Sequence, residues 1–302
     1  MTQEQYSIFD LKGGLGKHIA ATAVAKCIKN NYPDRKLIVV CAYPDIFINL
    51  SYVDRVYRLG QTSYFYQNYI ENKDSLIFSN EPYLTTDHIH KKLPLIQTWC
   101  KMYGLKYQNE TPELSFNRLQ IEASKKVWVT DDKPVMVLHT NGGLIGPNAK
   151  PYLWARDMPI NTAKQIYSRY KKDYSIYQCT KANSEKISGA KIVQWDNKVK
   201  LSTLEFLSVI LHSKKRVLID SSLQHAAAAL GLPSVVLWNG TSPKVFGHEL
   251  HTNLETVKPQ NFKLPGSYLF DFDFNGSEHE YPFAQQETLF DVEKVFEAIE
   301  ST

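Results

Sequence analysis

Residues Val217–Pro243 read VLIDSSLQHAAAALGLPSVVLWNGTSP. An apolar run, Arg216 to Asp220 with its flanking arginine, ends in a carboxylate and two serines. A small-residue helical pattern follows from about Gln224 to Leu230. Gly231-Leu232-Pro233 breaks it, and Ser234 to Trp238 is a second apolar run. Strand, helix and strand at this spacing predict parallel strands joined by a right-handed crossover. Open parallel sheets bind ligands where the carboxyl end of a strand faces a helix N-terminus. The free N–H groups and positive end of that helix favour a phosphate. Ser221 and Ser222 supply hydroxyls beside Asp220, and His225 lies one turn into the helix. The same residues also describe a serine-capped core helix with His225 satisfied inside it. Both readings stand at this point.

The chain upstream and downstream repeats the alternation. Tyr6 to Leu11 reads as a strand, Gly13-Gly14-Leu15-Gly16 as a turn, and His18 to Asn30 as a helix. Lys36 to Cys41 (KLIVVC) is a continuous apolar strand, suited to a parallel sheet covered on both faces. Val53 to Leu59 predicts another strand, and about His90 to Tyr103 a helix ending at Gly104. A second start follows Asp131-Asp132-Lys133-Pro134. Val135 to His139 (VMVLH) is a strand that leads into the polar loop at Asn141-Gly142-Gly143. Further elements are a helix at Asn161 to Tyr170, strands at Tyr174 to Cys179 and Lys191 to Gln194, and a helix at Ser202 to Leu211. Ser202 and Glu205 stand at capping-box spacing. Asn261 to Phe283 is aromatic and irregular, a surface wrap or a loop over a site. An amphipathic helix is expected over Gln286 to Ile299.

The expected fold class is therefore α/β, with two Rossmann-like domains facing a central cleft. The expected division is residues 1–133, residues 134–283 and a C-terminal helix in residues 284–302. A chain of 302 residues suits two domains. Cys27, Cys41, Cys100 and Cys179 have no paired spacing and read as reduced, mostly buried thiols of a cytoplasmic protein. No apolar run has the length of a membrane span. A net charge of +4 with scattered basic pairs reads as solvated faces, and disfavours a nucleic-acid stripe.

The Asp220–Pro243 block resembles the C-terminal signature of the heptosyltransferase-like glycosyltransferases (the ADP-heptose:LPS heptosyltransferase family). The resemblance lies in Asp220, His225, the alanine run, Leu230-Gly231, Pro233 and Gly240-Thr241-Ser242-Pro243. Ser222 stands where that family usually has glycine. Asn31-Tyr32-Pro33, Val53-Asp54-Arg55-Val56, the stretch from His88 to Gly104 with Pro112-Glu113-Leu114, and Lys150 with Trp154 and Arg156 are similar to further family segments. The resemblance implies a GT-B enzyme that transfers a sugar from a nucleotide-sugar to an acceptor hydroxyl, with inversion and without a bound metal. The nucleotide-sugar would be a co-substrate, with no resident cofactor. It implies acceptor binding in the first domain and donor binding in the second, with the last helix crossing back to the first. The acceptor would be a glycan or other hydroxyl compound; a modified nucleic acid is a remoter partner. Donor contacts are expected from Thr140, Asn141, Lys150, Asp220, Ser221, Ser222, Gln224, His225 and Thr241.

The turn Gly13, Gly14 and Gly16 is the expected acceptor or phosphate loop. Directly after its last glycine the family carries its base, an aspartate; this chain has Lys17. A lysine serves as base only with a strongly lowered pKa, and otherwise neutralises a phosphate. His18, Asp10 and Asp45 are the other candidates for the base. The same residues, KGGLGK, are close to the phosphate loop of chromosome-partitioning-type ATPases. However, His18 replaces the hydroxyl residue that would hold magnesium. An inactive protein that binds a glycan or nucleotide-sugar is a third reading.

Overall fold

The structure, a computed structural model, describes residues 3–143, 151–194, 201–256 and 289–302. In the first half, β1 (Gln5–Leu11), α1 (Leu15–Asn31), β2 (Lys36–Cys41), β3 (Arg55–Arg58), α2 (Phe65–Tyr69) and β4 (Asp74–Phe78) are followed by α3 (Thr86–Ile89), α4 (Leu95–Met102) and α5 (Arg118–Trp128). Among the described residues their sheet runs β3-β2-β1-β4 and is parallel throughout. The second half holds β5 (Val135–His139), α6 (Ile160–Tyr170), β6 (Ser175–Thr180), β7 (Lys191–Gln194), α7 (Thr203–Leu211), β8 (Ser213–Ile219), α8 (Ser222–Ala229), β9 (Val235–Trp238), α9 (Pro243–Phe246), β10 (Thr252–Glu255) and α10 (Val292–Ser301). Its sheet, β10-β9-β8-β5-β6-β7, is parallel as well.

Continuous apolar strands sit where both faces are covered. β2, β5 and β9 are buried along nearly their whole lengths. One apolar cluster runs from Phe9, Val39 and Trp99 in the first half to Leu207, Leu218 and Val236 in the second. Another fills the opposite face of the second sheet with Leu138, Ile166, Val217 and Ile299. All four cysteines are free and buried. The capping box at Ser202 and Glu205 closes as the spacing predicts: the Ser202 hydroxyl accepts from the Glu205 N–H, and the Glu205 carboxylate accepts from the Ser202 N–H.

The elements depart from expectation in several places, and α2, α5 and α9 are among those not expected. The helix expected from His90 starts only at Leu95, because Pro94 caps it, and the short α3 precedes it. β4 and β10 were not foreseen; both are edge strands with half-exposed residues and weak alternation. α10 packs on α6, β8 and β9, so its main contacts stay with the second sheet where a return to the first was expected. Its apolar side, Val295, Ala298 and Ile299, is buried there. The aromatic stretch Asn261–Phe283 and residue Gln286 lie outside the described residues. Among the described residues no helix is long and apolar enough to cross a membrane.

Candidate active site at the junction of the two sheets

The turn after β1 is shaped by glycine. Gly13 has φ +104°, a left-handed conformation, and a Cβ there would stand 2.9 Å from Lys17 Cδ. Gly14 is the extended N-cap of α1. In the first turn of α1, His18 is fully buried and fixed at both ring nitrogens. Nδ1 donates to the Gly14 carbonyl (2.9 Å), and Nε2 accepts from the Ala42 N–H (3.2 Å). Tyr43 lies edge-on at 4.8 Å. Burial holds the ring down at about 4, with nearby Lys17 lowering it further and the Gly14 bond opposing. His18 thus ties α1 to the exit of β2 as a neutral ring. With neither nitrogen open to a substrate proton, it does not fit the role of base expected for it.

Lys17 is also committed. Its ammonium pairs with Glu81 Oε1 at 2.5 Å and lies over the rings of Tyr83 (5.2 Å) and Trp99 (5.3 Å). Burial pushes its pKa down and Glu81 pushes it back up. The Lys17 side chain is 6% exposed and that of Glu81 44%, so the carboxylate is the open member of the pair. A phosphate-loop lysine must reach an open phosphate, and this one is packed away from solvent. Asp10 is the penultimate residue of β1; its Oδ1 is buried and has no hydrogen-bond partner among the described residues. Asp45 sits in the 3-10 turn Pro44–Ile46 after β2.

Across from this turn, Asp220 follows β8 and is buried. Burial raises its pKa, while Arg156 and the Thr241 hydroxyl favour the charged form. Thr241 itself is buried. Ser221 is the N-cap of α8, and its hydroxyl caps nothing in the helix. Gly142 must be glycine because a Cβ would stand 2.6 Å from the Ser221 Oγ, and a Cβ on Gly143 would meet the Arg156 guanidinium at 2.8 Å. Ser221, the loop after β5 and Arg156 therefore crowd one spot.

Thr140 and Asn141 brace that spot from behind. Thr140 donates to Asn141 Oδ1 (2.9 Å), as does Thr180 (2.8 Å). The Asn141 amide donates to Asp157 Oδ2 at 3.0 Å. Asp157, fully buried, also accepts from the N–H groups of Gly142 (2.9 Å) and Leu153 (2.8 Å) and pairs with Lys181 at 3.5 Å. This network turns the loop toward α8 but uses up the donors of Thr140 and Asn141. Lys150 lies outside the described residues.

Gln224 and His225 follow the core-helix reading. The Gln224 amide donates to the Phe246 carbonyl (2.9 Å), and its backbone carbonyl accepts from His251 Nε2 (2.9 Å). His225 Nδ1 is 2.9 Å from His248 Nε2, and the His248 ring packs edge-on to both His225 and His251. Burial, helped by the neighbouring imidazoles, holds His225 well below its ordinary value and His248 at about 3. These rings are neutral supports behind α8. Among the described residues no group of three or more His, Cys, Asp or Glu is disposed to hold a metal ion.

The two sides meet at Gly16. A Cβ on it would stand 3.0 Å from His225 Cδ2, 3.2 Å from Ser222 Cα and 3.3 Å from Ser222 N. The first turns of α1 and α8, from different sheets, are thus in contact, and two positive helix ends converge. Tyr83 links the remaining groups. Its pKa is raised first by burial and then by the charges of Glu81 and Asp220, with Arg156 opposing. One ring therefore senses a carboxylate of the first half and a carboxylate and guanidinium of the second. Sequence reasoning passed over Glu81 and Tyr83. Their signal was position: they lie just beyond β4, at the carboxyl end of a parallel strand. A separate cavity of about 410 Å³, lined in part by Asp131, Lys133, Tyr167 and Lys191, lies at the amino ends of β5 to β7, away from the ligand-binding edge of such sheets.

No family model and no curated protein sequence matches the chain. Solved structures do. E. coli ADP-heptose LPS heptosyltransferase II is similar at TM-score 0.68 with 10% identity, over 98% of this chain and 98% of that one. The fold is heptosyltransferase-like. A glycosyl transferase family 9 protein of Veillonella parvula gives TM-score 0.68 with 11% identity, over 100% of this chain and 98% of that one. The dodecameric iron-containing heptosyltransferase TibC of enterotoxigenic E. coli, in complex with ADP-D-β-D-heptose, gives 0.65 with 12% identity, over 99% of this chain and 76% of that one. The parallel α/β sheets described above are consistent with this shared fold.

Proposed function

We propose that the chain is a glycosyltransferase of GT-B organisation, which moves a sugar from a nucleotide-sugar to an acceptor hydroxyl with inversion and without a metal. The observation that carries this is the convergence of the α1 and α8 N-termini at Gly16 and Ser222, with Arg156 beside Asp220. Displacement at the sugar C1 sheds a nucleoside diphosphate, and its growing charge needs fixed donors and cations. Ser221, Ser222, the first N–H groups of α8 and the Arg156 guanidinium meet that need. Asp157 holds the loop that brings Gly142 and Gly143 against Ser221 and Arg156.

In this reading residues 134–283 take the donor, residues 1–133 take the acceptor, and the two face each other across a cleft. Thr140, Asn141, Gln224 and His225 shape the donor side without touching the diphosphate, and Arg156 and Thr241 favour the charged form of Asp220 against its burial. Asp220 then holds Arg156 toward the phosphates. An ADP-linked sugar is the first donor to try, since ADP-D-β-D-heptose is the compound bound to TibC; a glycan is the first acceptor. The test is calorimetric binding and turnover with a panel of ADP-, UDP- and GDP-sugars, with product anomers assigned by NMR. Binding and transfer from one of these donors is the expected result. ATP binding with magnesium, and no nucleotide-sugar bound, would overturn the reading.

A further inference from the structure

We propose that Glu81 is the general base of the transfer, with Lys17 as its positioning partner, so that the proton is taken by the loop after β4 and not by the glycine turn. This rests on the glycosyltransferase reading above. β4 pairs with β1 in parallel register, Phe9 opposite Phe78, so the loops that leave the two strands emerge side by side. Glu81 thus reaches the turn that carries Lys17 where the resembled family carries its carboxylate.

The pair is half open. Lys17 engages Oε1, its side chain is 6% exposed, and two aromatic rings flank its ammonium; the Glu81 side chain is 44% exposed. A cation fixed in this way orients the carboxylate, which stays the open member of the pair. Around Glu81 stand Lys17 and His18 of α1, Tyr83 just after it and Tyr103 at the end of α4, and its charge is felt at each. Lys17 directly follows Gly16, whose backbone meets Ser222 and His225, so Glu81 joins the turn that touches the donor half. Asp10 is the competing carboxylate, but its Oδ1 is shut off from solvent.

In the step, the acceptor hydroxyl gives its proton to Glu81. The oxygen pair forms the bond to the donor C1 as the C1–O bond to the diphosphate breaks. That bond's electrons go to the diphosphate oxygen, and the nucleoside diphosphate leaves; Glu81 later returns its proton to water.

The test compares Glu81→Gln, Glu81→Asp and the double variant Lys17→Met/Glu81→Gln, each checked for an unchanged melting temperature. Glu81→Gln is expected to lower kcat by roughly 100-fold or more while donor Kd stays within about threefold, as loss of a base predicts. Glu81→Asp should recover part of kcat, and the double variant should remain as slow as Glu81→Gln. If Glu81 served only to neutralise buried Lys17, the double variant would regain activity, and the proposal would fall. Donor binding with wild-type turnover in Glu81→Gln would overturn it alone. Absence of any donor binding to the wild-type protein would overturn the underlying reading as well.

Discussion

Gly16 of α1 and Ser222 of α8 approach so closely that a Cβ on the glycine would stand 3.2 Å from the serine Cα. The Ser222 atoms are backbone, so they cannot swing aside as a side-chain tip can. Gly16→Ala should therefore destabilise the protein by about 1–3 kcal/mol, although alanine gains about 1 kcal/mol over glycine in a free helix. Donor affinity should fall as well. Gly14→Ala is the control: nothing lies within 4 Å of a Cβ there, so its cost should stay within about 1 kcal/mol. Denaturant unfolding of the two variants checks the difference, and equal stabilities would remove the contact from the account.

Arg156→Ala should weaken nucleoside diphosphate binding roughly 10- to 100-fold, the usual cost of losing a charged hydrogen-bonding partner. Calorimetry with ADP, UDP and GDP provides the measurement. Unchanged affinity for the diphosphate that binds best would take Arg156 out of the site.

Asp157 accepts four hydrogen bonds while fully buried, from Asn141, Gly142, Leu153 and Lys181. Asp157→Ala leaves those donors without their acceptor and should cost about 3–5 kcal/mol, as for other broken buried charge networks. The loop carrying Gly142 is expected to shift, so donor binding should fall together with the melting temperature. A stable variant that had lost only donor binding would give Asp157 a direct role instead.

Burial holds His18 at about 4 and His248 at about 3, against an ordinary value near 6.5 in the unfolded chain. Between these limits the unfolded chain binds more protons than the folded one. Stability that is present above about pH 6.5 is therefore lost as the pH falls. Each such ring should cost about 2 kcal/mol by about pH 5. Chemical denaturation from about pH 7.5 down to about pH 5 tests this slope, and His248→Gln should reduce it.

Strands buried on both faces were legible because their composition alone names them: KLIVVC and VMVLH became β2 and β5 with the expected bounds. β4 was not, since an edge strand with half-exposed residues carries no strong period. The turns after β1 and β8 were recognisable as strand–turn–helix junctions from the order of their residues. Which side chains stay open there was not. His18, Gln224 and His225 are drawn into the interior by partners far along the chain, among them Ala42, Phe246 and His248. Glu81 joins Lys17 through sheet pairing between β1 and β4, a relation that no local spacing encodes.

The contact between α1 and α8 carries an electrostatic burden of its own. Two helix ends of like sign meet there, and packing must hold them together against that repulsion. An anion lodged between them turns that repulsion into shared attraction. The halves of the chain should then part more readily in dilute buffer than in the presence of diphosphate. In the proposed reaction the departing diphosphate would be the anion that joins the two helix ends.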